Sequence, residues 1–205
     1  MSIKGIIGKK LGMSTIYSEN GEAIPVTVIK AGPCTVTQVK TENKDGYNSV
    51  QIGFSEAKSL NAPQKGHQKR SEGNFSILQE FEIDDSAEIE VGQQISTEIF
   101  SEIKKVKVSG TSKGRGFAGG VRRYGFKGGP KTHGQSDRHR AVGSIGAGSS
   151  PGRVWPGTRM PGHFGNAKTT VKGLRLVKVD STNNILLIKG AIPGFNGSTV
   201  RVEAQ

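Results

Sequence analysis

Residues 111–170 read TSKGRGFAGGVRRYGFKGGPKTHGQSDRHRAVGSIGAGSSPGRVWPGTRMPGHFGNAKTT. They contain eleven Lys or Arg and a single acid, Asp137, so they carry +10 of the chain's net charge of +12. They also contain fifteen glycines, where average usage of roughly 7% predicts about four. Such a composition cannot bury enough apolar surface to offset the entropy lost on ordering. We therefore expect this segment to be disordered or to fold against a polyanion.

The distribution of charge points to nucleic acid as that polyanion. Outside residues 111–170 the chain has 18 basic and 16 acidic side chains, so the rest of it is nearly balanced. A basic surface concentrated on one segment is the electrostatic footprint of a nucleic-acid-binding protein. A basic surface that is merely solvated is the alternative, but surface charge alone does not require so many glycines.

Length and cysteine content set further bounds. The 205 residues suit one large domain or two small ones, with enough chain for a real core. Cys34 is the only cysteine, which fits a reducing cytoplasm, and its apolar neighbours favour a packed side chain over a nucleophile. We expect no signal peptide, because the first ten residues have neither a long apolar run nor a cleavage site. No window approaches 18 apolar residues, so no membrane-spanning segment is expected.

Alternating apolar residues predict β-strands on both sides of the basic segment. Before it, strands are expected within residues 3–17, 23–30, 34–40 and 47–54, separated by turn signals at Asn20-Gly21, Gly32-Pro33 and Asp45-Gly46. After it, residues 174–179 and 185–189 predict a hairpin, and a last strand covers 199–202. Strands of this length, with turns about every ten residues, are typical of a small barrel or sandwich. The fold class is therefore mainly β.

A small α+β lobe is predicted between the first strands and the basic segment. Residues 56–74 are polar and weakly helical, and Val91-Gly92-Gln93 predicts a turn that leads into a strand over residues 95–100. Acidic residues gather in this region at Glu80, Glu82, Asp84, Asp85, Glu88 and Glu90.

The basic segment is predicted to be an insertion in one β body, because the β pattern continues on both sides of it. We expect a body of residues 1–55 and 171–205, a lobe with return strands over 56–110, and a basic, extended RNA-binding insertion over 111–170. Long connections without secondary structure of their own are uncommon in compact domains and are usually functional.

Two nucleotide-binding motifs fail in this segment. Residues 114–119, GRGFAG, match the three-glycine dinucleotide pattern, but the glycines and the proline of residues 120–130 predict that no helix follows. A true site needs a helix whose N-terminus holds the pyrophosphate. No glycine loop ends in Gly-Lys-Ser/Thr, so a P-loop is excluded as well.

The histidines do not predict a metal or catalytic site. His133 and His139 are six residues apart with Asp137 between them, and His163 is distant. A zinc site needs more ligands at set spacing, and a hydrolase needs a nucleophile, a base and an orienting group on a rigid scaffold. Because arginines surround these histidines, hydrogen bonding to phosphate or ribose is the favoured role. We therefore expect no metal, no cofactor and no catalytic residue.

Basic and aromatic residues alternate in the segment, and this pattern predicts RNA contact. Aromatic side chains can stack on bases, although small internal clusters explain the same residues equally well. The predicted RNA-binding residues are Lys113, Arg115, Arg122, Arg123, Lys127, Lys131, His133, Arg138, His139, Arg140, Arg153, Trp155, Arg159, His163 and Lys168.

The slimmest part of the segment is residues 143–152, GSIGAGSSPG, in which only Ile145 is bulky. Glycine permits close backbone approach and positive φ, so this stretch can thread a narrow space. We predict that it is the tip of the extension, centred on Gly146, Ala147, Gly148, Ser149 and Ser150.

Short motifs along nearly the whole chain resemble the ribosomal protein L3 family of the large (50S) subunit, in its bacterial form. Each motif is weak alone, but their order is specific. They are KGIIGKKLGM at 4–13, IPVTV at 24–28, DGY at 45–47, GTSKGRGFAG at 110–119 with Arg123 after it, THG at 132–134, GSIG at 143–146, SPGRV at 150–154, MPG at 160–162 and LLIKGAIPG at 186–194.

The resemblance implies a translation-factor-type β-barrel with a small α+β lobe and a long extension. It implies binding to large-subunit (23S) ribosomal RNA, an extension that reaches toward the peptidyl-transferase centre, a role in early subunit assembly and contacts with neighbouring ribosomal proteins. Some bacterial members carry a methylated glutamine at the tip, and residues 147–150, AGSS, offer none. We thus expect a structural, cytoplasmic ribosomal protein with no small-molecule substrate. The rival hypotheses are an RNA-modifying enzyme and a free-standing nucleic-acid chaperone.

Overall fold

The computed structural model of the protein describes residues 3–71, 73–83 and 89–205. The chain divides into two compact units. Unit 1 comprises the chain up to Thr111 and again from Lys168 onward, and unit 2 comprises residues 112–167. No helix in the described ranges is long and apolar enough to cross a membrane.

Short strands dominate the chain, and the helices are few and brief. In chain order the strands are β1 (Gly5–Tyr17), β2 (Ala23–Ala31), β3 (Cys34–Lys40), β4 (Ser49–Glu56), β5 (Phe75–Glu82), β6 (Gln94–Ile95), β7 (Lys105–Thr111), β8 (Phe117–Ala118), β9 (Gly162–His163), β10 (Lys168–Asp180), β11 (Ile185–Lys189) and β12 (Thr199–Ala204). The helices are α1 (Glu42–Asp45), α2 (Ala62–Gln68) and α3 (Gly120–Tyr124), with 3-10 turns at Lys69–Ser71 and Thr97–Phe100.

Six antiparallel strands of unit 1 close into a barrel in the order β1, β12, β7, β10, β11, β2. The predicted mainly β fold is therefore confirmed. Of the two predicted architectures, a small barrel or a sandwich, the structure has the barrel. Its interior is filled by aliphatic side chains that are completely buried, among them Ile29, Val108, Leu186, Ile188 and Val202. Where the barrel is closed, each strand is paired on both sides, which satisfies its backbone N–H and C=O groups there.

The remaining strands of unit 1 form a second sheet in the order β5, β4, β3, β6. Its central strand β4 is buried at six successive positions, 49–54. Simple in–out alternation was expected there, but both faces of β4 are covered. On one face the Phe75 ring lies over Gly53, where a Cβ atom would come within 2.5 Å of it. Gln68 of α2 holds Phe75 in place by hydrogen bonds to its backbone N–H and C=O, at 2.6 and 3.0 Å.

The boundary between body and lobe differs from the predicted one. Strands β3 and β4 fall within residues 1–55 but belong to the second sheet, whereas β7 falls within residues 56–110 but belongs to the barrel. The chain leaves the barrel at Gly32, whose φ of 78° requires glycine. The alternation of apolar residues predicts that a strand forms. Pairing with a neighbouring strand then decides which sheet that strand joins.

One core runs through the barrel and the second sheet. The Phe81 ring of β5 packs directly on Gly5 of β1, where no side chain would fit. Cys34 is fully buried in this core, and its Sγ donates to the Ile7 carbonyl at 3.5 Å. Burial raises the pKa of the Cys34 thiol to about 12, so this residue is an inert packed side chain.

The strand predicted over residues 95–100 is wrong for most of its length. Strand β6 contains only Gln94 and Ile95, and Thr97–Phe100 form a 3-10 turn. The Ser96 hydroxyl accepts from the Glu98 N–H at 3.4 Å, which begins the turn, and the turn carries Phe100 to a fully buried position. The predicted Asp45-Gly46 turn is the end of the one-turn helix α1. Of the predicted acidic group, Asp84, Asp85 and Glu88 lie outside the described residues.

We predict that Gly53→Ala destabilises unit 1 by about 1–3 kcal/mol, because the added methyl group overlaps the partly buried Phe75 ring, which must move to make room. Thermal unfolding followed by circular dichroism measures this. The matched control is Gly66→Ala in α2, which has open space around it and should be neutral or stabilising by up to about 1 kcal/mol. Equal melting temperatures for the two variants would contradict this packing.

Candidate nucleic-acid interface

Unit 2 begins and ends in a short backbone ladder of its own. The Ser112 N–H donates to Ala167 O at 2.9 Å, and the Asn166 N–H returns to Ser112 O at 3.2 Å. Gly165 makes this closure possible, since its φ is 75° and a Cβ atom there would overlap the Lys113 carbonyl. The two ends of the predicted insertion are thus held side by side.

The ladder continues along the glycine-rich motif. The Arg115 N–H donates to Phe164 O at 2.8 Å, and the Phe164 N–H donates to Gly116 O at 2.9 Å. Strands β8 and β9 then pair, with Phe117 opposite His163. The Arg115 guanidinium lies over the Phe164 ring at 5.5 Å from its centroid. The residues that match a dinucleotide motif therefore form half of a hairpin.

A helix does follow this motif, contrary to the prediction that none could form. Helix α3 is five residues long and ends at Gly125, whose φ is 74°. A dinucleotide site requires a full crossover helix, so this single turn does not supply one. No group of three or more metal-ligating side chains occurs within the described ranges.

Arg123 of α3 is an internal brace. Its Nη1 donates to Met160 O at 2.8 Å, and the guanidinium packs where a Cβ atom of Gly162 would stand. The Tyr124 ring lies between two cations, with the Arg123 and Arg159 guanidinium carbons at 5.0 and 5.6 Å from its centroid. Of the residues predicted to bind RNA, Arg123 is thus the one whose guanidinium is committed to the protein itself.

The aromatic side chains divide between internal packing and exposure. Tyr124 and Phe126 contact each other at a centroid distance of 5.8 Å. Phe117 and Trp155 instead present 80% and 55% of their surface to solvent, and the Arg153 guanidinium lies over the Trp155 ring at 4.9 Å. An exposed aromatic ring next to a cation has the chemistry of a base-stacking platform.

Two glycines admit a close crossing of the chain. At Gly128 and Gly129 a Cβ atom would collide with the carbonyls of His139 and Arg138, and the Gly129 N–H donates to His139 O at 3.0 Å. A hydrogen bond also fixes the His139 ring, because its Nδ1 lies 3.0 Å from Pro130 O. A carbonyl only accepts, so Nδ1 carries the proton and Nε2 remains for a ligand. The rings of His133 and His163 have no such hydrogen bond to any described residue. His133 has a positive φ of 61°, and His163 is exposed in β9.

The predicted tip is an open loop. Residues 143–150 are all exposed, and the Ser144 hydroxyl donates to Gly146 O at 2.9 Å. A Cβ atom at Gly148 would have no neighbour within 4 Å, and one at Gly146 would approach only Arg153 O, at 3.9 Å. The small residues here are therefore not explained by packing within the chain.

The cations of unit 2 have no acidic partner among the residues that the structure describes. All salt bridges among the described residues lie in unit 1, such as Lys40 with Glu80 at 2.6 Å. Asp137 is the only acid of unit 2, and its contact is with the Ser136 hydroxyl at 3.4 Å. Lys168 belongs to unit 1, at the first position of β10. The exposed cations among the predicted residues are Lys113, Arg115, Arg122, Lys127, Lys131, Arg138, Arg140, Arg153, Arg159 and Lys168.

Sequence reasoning missed the partners that shape this surface. Arg123 donates to the Met160 carbonyl and packs against Gly162, which has no side chain. The Thr158 hydroxyl stabilises a turn by donating to Trp155 O at 2.7 Å. A motif such as MPG at residues 160–162 signals a turn, but it does not reveal which distant arginine occupies it.

A family model described as ribosomal protein L3 matches residues 62–185. Proteins named large ribosomal subunit protein uL3 match nearly the whole chain. That of Dehalococcoides mccartyi is 51% identical over 201 residues and 98% of both chains. That of Herpetosiphon aurantiacus is 50% identical over 98% of this chain and 95% of its own, and that of Nostoc punctiforme is 55% identical over 97% and 95%.

The chain belongs to the ribosomal protein L3 family. The resemblance of the scattered motifs is thereby confirmed. Members of this family are structural constituents of the large ribosomal subunit and not enzymes, so the expectation of a non-enzymatic protein is confirmed as well. The expected location on cytoplasmic ribosomes follows from the same membership.

We predict that Gly165→Ala opens the base of unit 2. Alanine must take a positive φ there and also overlaps the Lys113 carbonyl, which together weaken the ladder by about 1–3 kcal/mol. Hydrogen exchange should then accelerate at the Arg115 and Phe164 amides. Gly119→Ala is the control, since its φ is an ordinary −71° and its surroundings are open. Unchanged exchange in Gly165→Ala would rule out this closure.

Proposed function

We propose that unit 2 is the main RNA-binding element of this L3 protein and that its partner is 23S ribosomal RNA. In this proposal unit 2 penetrates the folded RNA and its tip, residues 146–150, reaches toward the peptidyl-transferase centre. Binding takes place early in the assembly of the large subunit, and unit 1 contacts neighbouring ribosomal proteins.

The observation that carries the proposal is the set of unpaired cations in unit 2. Ten Lys or Arg stand against Asp137 alone, and none of them forms a salt bridge with any residue that the structure describes. Such an excess of like charge repels itself in a compact segment. A polyanion removes this repulsion, and RNA supplies phosphates that the exposed cations of the segment can neutralise.

The internal contacts of unit 2 suit this role because they order the backbone without using up the charges. Arg115 over Phe164, Arg159 over Tyr124 and Arg153 over Trp155 keep N–H groups available at the edges of their guanidinium planes. Arginine can therefore stack and bind a phosphate at the same time. We assign the exposed cations to phosphates, and Trp155 and the exposed His133 and His163 to bases or ribose.

Arg123 has a different assignment from the other cations. Its bond to Met160 O and its contact with Gly162 support a role in shaping unit 2, with at most a secondary contact to RNA. Neutralising it should therefore disturb folding of unit 2, whereas neutralising an exposed cation should disturb binding alone.

The experiment that tests the function is incorporation into large subunits followed by a high-salt wash. A structural constituent remains with the subunit and is required for its formation. The rival function, a free-standing nucleic-acid chaperone, is disfavoured by family membership. Such a chaperone is released by the wash, and the particles that remain have normal composition.

Binding of the purified protein to 23S RNA should depend steeply on salt. With about 6–10 phosphate contacts, affinity should fall roughly 10³–10⁵-fold between 50 and 200 mM salt, because each contact releases condensed counterions. Filter binding over this range measures the slope. Replacing Arg138, Arg140 and Arg153 together by Gln should weaken binding and flatten the slope, while Lys40→Gln in the second sheet should leave the slope unchanged. A flat response of the unaltered protein would refute phosphate binding.

The tip should be confined by RNA rather than by the protein. Because Gly146 and Gly148 have free space around them, Gly148→Trp should leave the fold and the initial RNA affinity nearly intact. It should nevertheless reduce incorporation into active subunits or slow peptide synthesis, which reconstitution and a translation assay measure. The matched control is Gly66→Trp in α2, where space is also open. Fully active ribosomes with Gly148→Trp would contradict a confined tip.

A further inference from the structure

The outer half of strand β1 has an unpaired edge. Strand β12 covers that edge only from Gly5 to Lys9, and Ser198 extends the cover to Lys10 through the bond from the Lys10 N–H to Ser198 O at 2.9 Å. Beyond this point β1 pairs with β2 alone. No residue of the described ranges hydrogen-bonds the other edge of β1 between residues 13 and 17.

The register identifies the backbone groups that face outward from this edge. Pro25 lies directly opposite Thr15, and Pro25 O accepts from Gly190 N on the far side, at 2.9 Å. Pro25 also has no N–H to offer β1. In an antiparallel pair both residues face each other or both face away, so the N–H and C=O of Thr15 point away from β2. By alternation, the same holds for Met13 and Tyr17.

The edge lacks the features that normally protect a free strand. Residues 13–17, MSTIY, contain no charged residue and no proline, and the bulge of β1 lies before them, between Lys10 and Gly12. Lysine, proline or a bulge usually blocks such edges. Met13 and Tyr17 are 54% and 75% exposed and share one face of the hairpin with exposed Ala23 and Pro25. A row of free backbone groups next to an apolar face has the chemistry of a strand-addition site.

We propose that residues 13–17 of β1 bind an extended segment of another large-subunit ribosomal protein, which adds to the sheet as a further strand. The inference rests on the proposed function, because it places the chain in that subunit. The free N–H and C=O groups of Met13, Thr15 and Tyr17 pair with the partner's backbone. Its alternate apolar side chains cover Met13 and Tyr17.

The negative charge beside this edge further limits the composition of the partner segment. The hairpin turn next to this edge carries Glu19 and Glu22 and no base, so a lysine or arginine at one end of the partner segment is favoured there. RNA is the less suitable occupant. Its phosphates cannot donate to the free carbonyls, and residues 11–18 offer no cation to neutralise them.

Hydrogen exchange of the free protein and of assembled large subunits provides the first test. In the free protein the amides of Met13, Thr15 and Tyr17 should exchange quickly, and in subunits they should exchange at least about tenfold more slowly. If the protein enters subunits and these amides stay unprotected, this inference fails while the proposed function stands. If the protein does not enter subunits at all, both fail.

A backbone-specific variant provides the second test. Thr15→Pro removes an outward N–H that the fold of the protein does not use, whereas Thr15→Ala keeps it. In competition with the unaltered protein during reconstitution, Thr15→Pro should be incorporated roughly two- to tenfold less, as expected for the loss of one hydrogen bond, and Thr15→Ala equally well. Both should bind 23S RNA with normal affinity and salt slope, which verifies that they are folded. Equal incorporation of the two variants would overturn the proposal.

Photo-crosslinking from defined positions identifies the occupant. A photoreactive amino acid is placed at Met13, Thr15 or Tyr17, one at a time, and the adducts in purified subunits are sequenced. The expected adducts lie on one segment of another ribosomal protein and shift by two residues from one position to the next. Adducts only to RNA, adducts only to a second copy of this chain, or adducts scattered without register would each refute strand addition.

Discussion

The antiparallel pairing of β7 with β10 is the contact on which the rest of the structure depends. It completes the barrel, because these strands join β12 on one side to β11 on the other. It also places Thr111 directly opposite Lys168, so a long segment can leave and re-enter unit 1 at one point. Closing so long a loop has a large entropic cost, and the ladder that unit 2 adds at its own base, beginning at Ser112, helps to offset it.

Within unit 2, one set of residues orders the backbone and another set presents the positive charge. Glycines at Gly128, Gly129 and Gly165 let two segments of the chain approach where no side chain fits, and Arg123 links α3 to the turn at Met160. The exposed lysines and arginines of unit 2 make no ion pair with the described part of the chain. A segment built in this way can hold a backbone path while its charge stays available to a polyanion. This explains why high glycine content and high positive charge occur together.

Unit 1 reaches its stability by a different route. Its two sheets share one aliphatic and aromatic core, and they come close together where Phe81 of the second sheet packs on Gly5 of the barrel. The same core makes Cys34 inaccessible. The hairpin of β1 and β2 extends past this core, which is why its outer edge is free of the neighbours that pair the rest of the barrel.

The sequence by itself determined the mainly β fold, the basic segment and the family, since these depend on local alternation, on composition and on motif order. It also located most strands, as at residues 185–189, because alternation is a property of each strand alone. It did not predict the 3-10 turn at residues 97–100, where burial of Phe100 overrides the strand propensity of Ile95 and its neighbours. Only the tertiary structure decided that β3 and β4 leave the barrel while β7 joins it, that Arg123 faces inward, and that the edge at Thr15 is open. Each of these depends on pairing between residues far apart in the chain, and a one-dimensional pattern does not specify such partners.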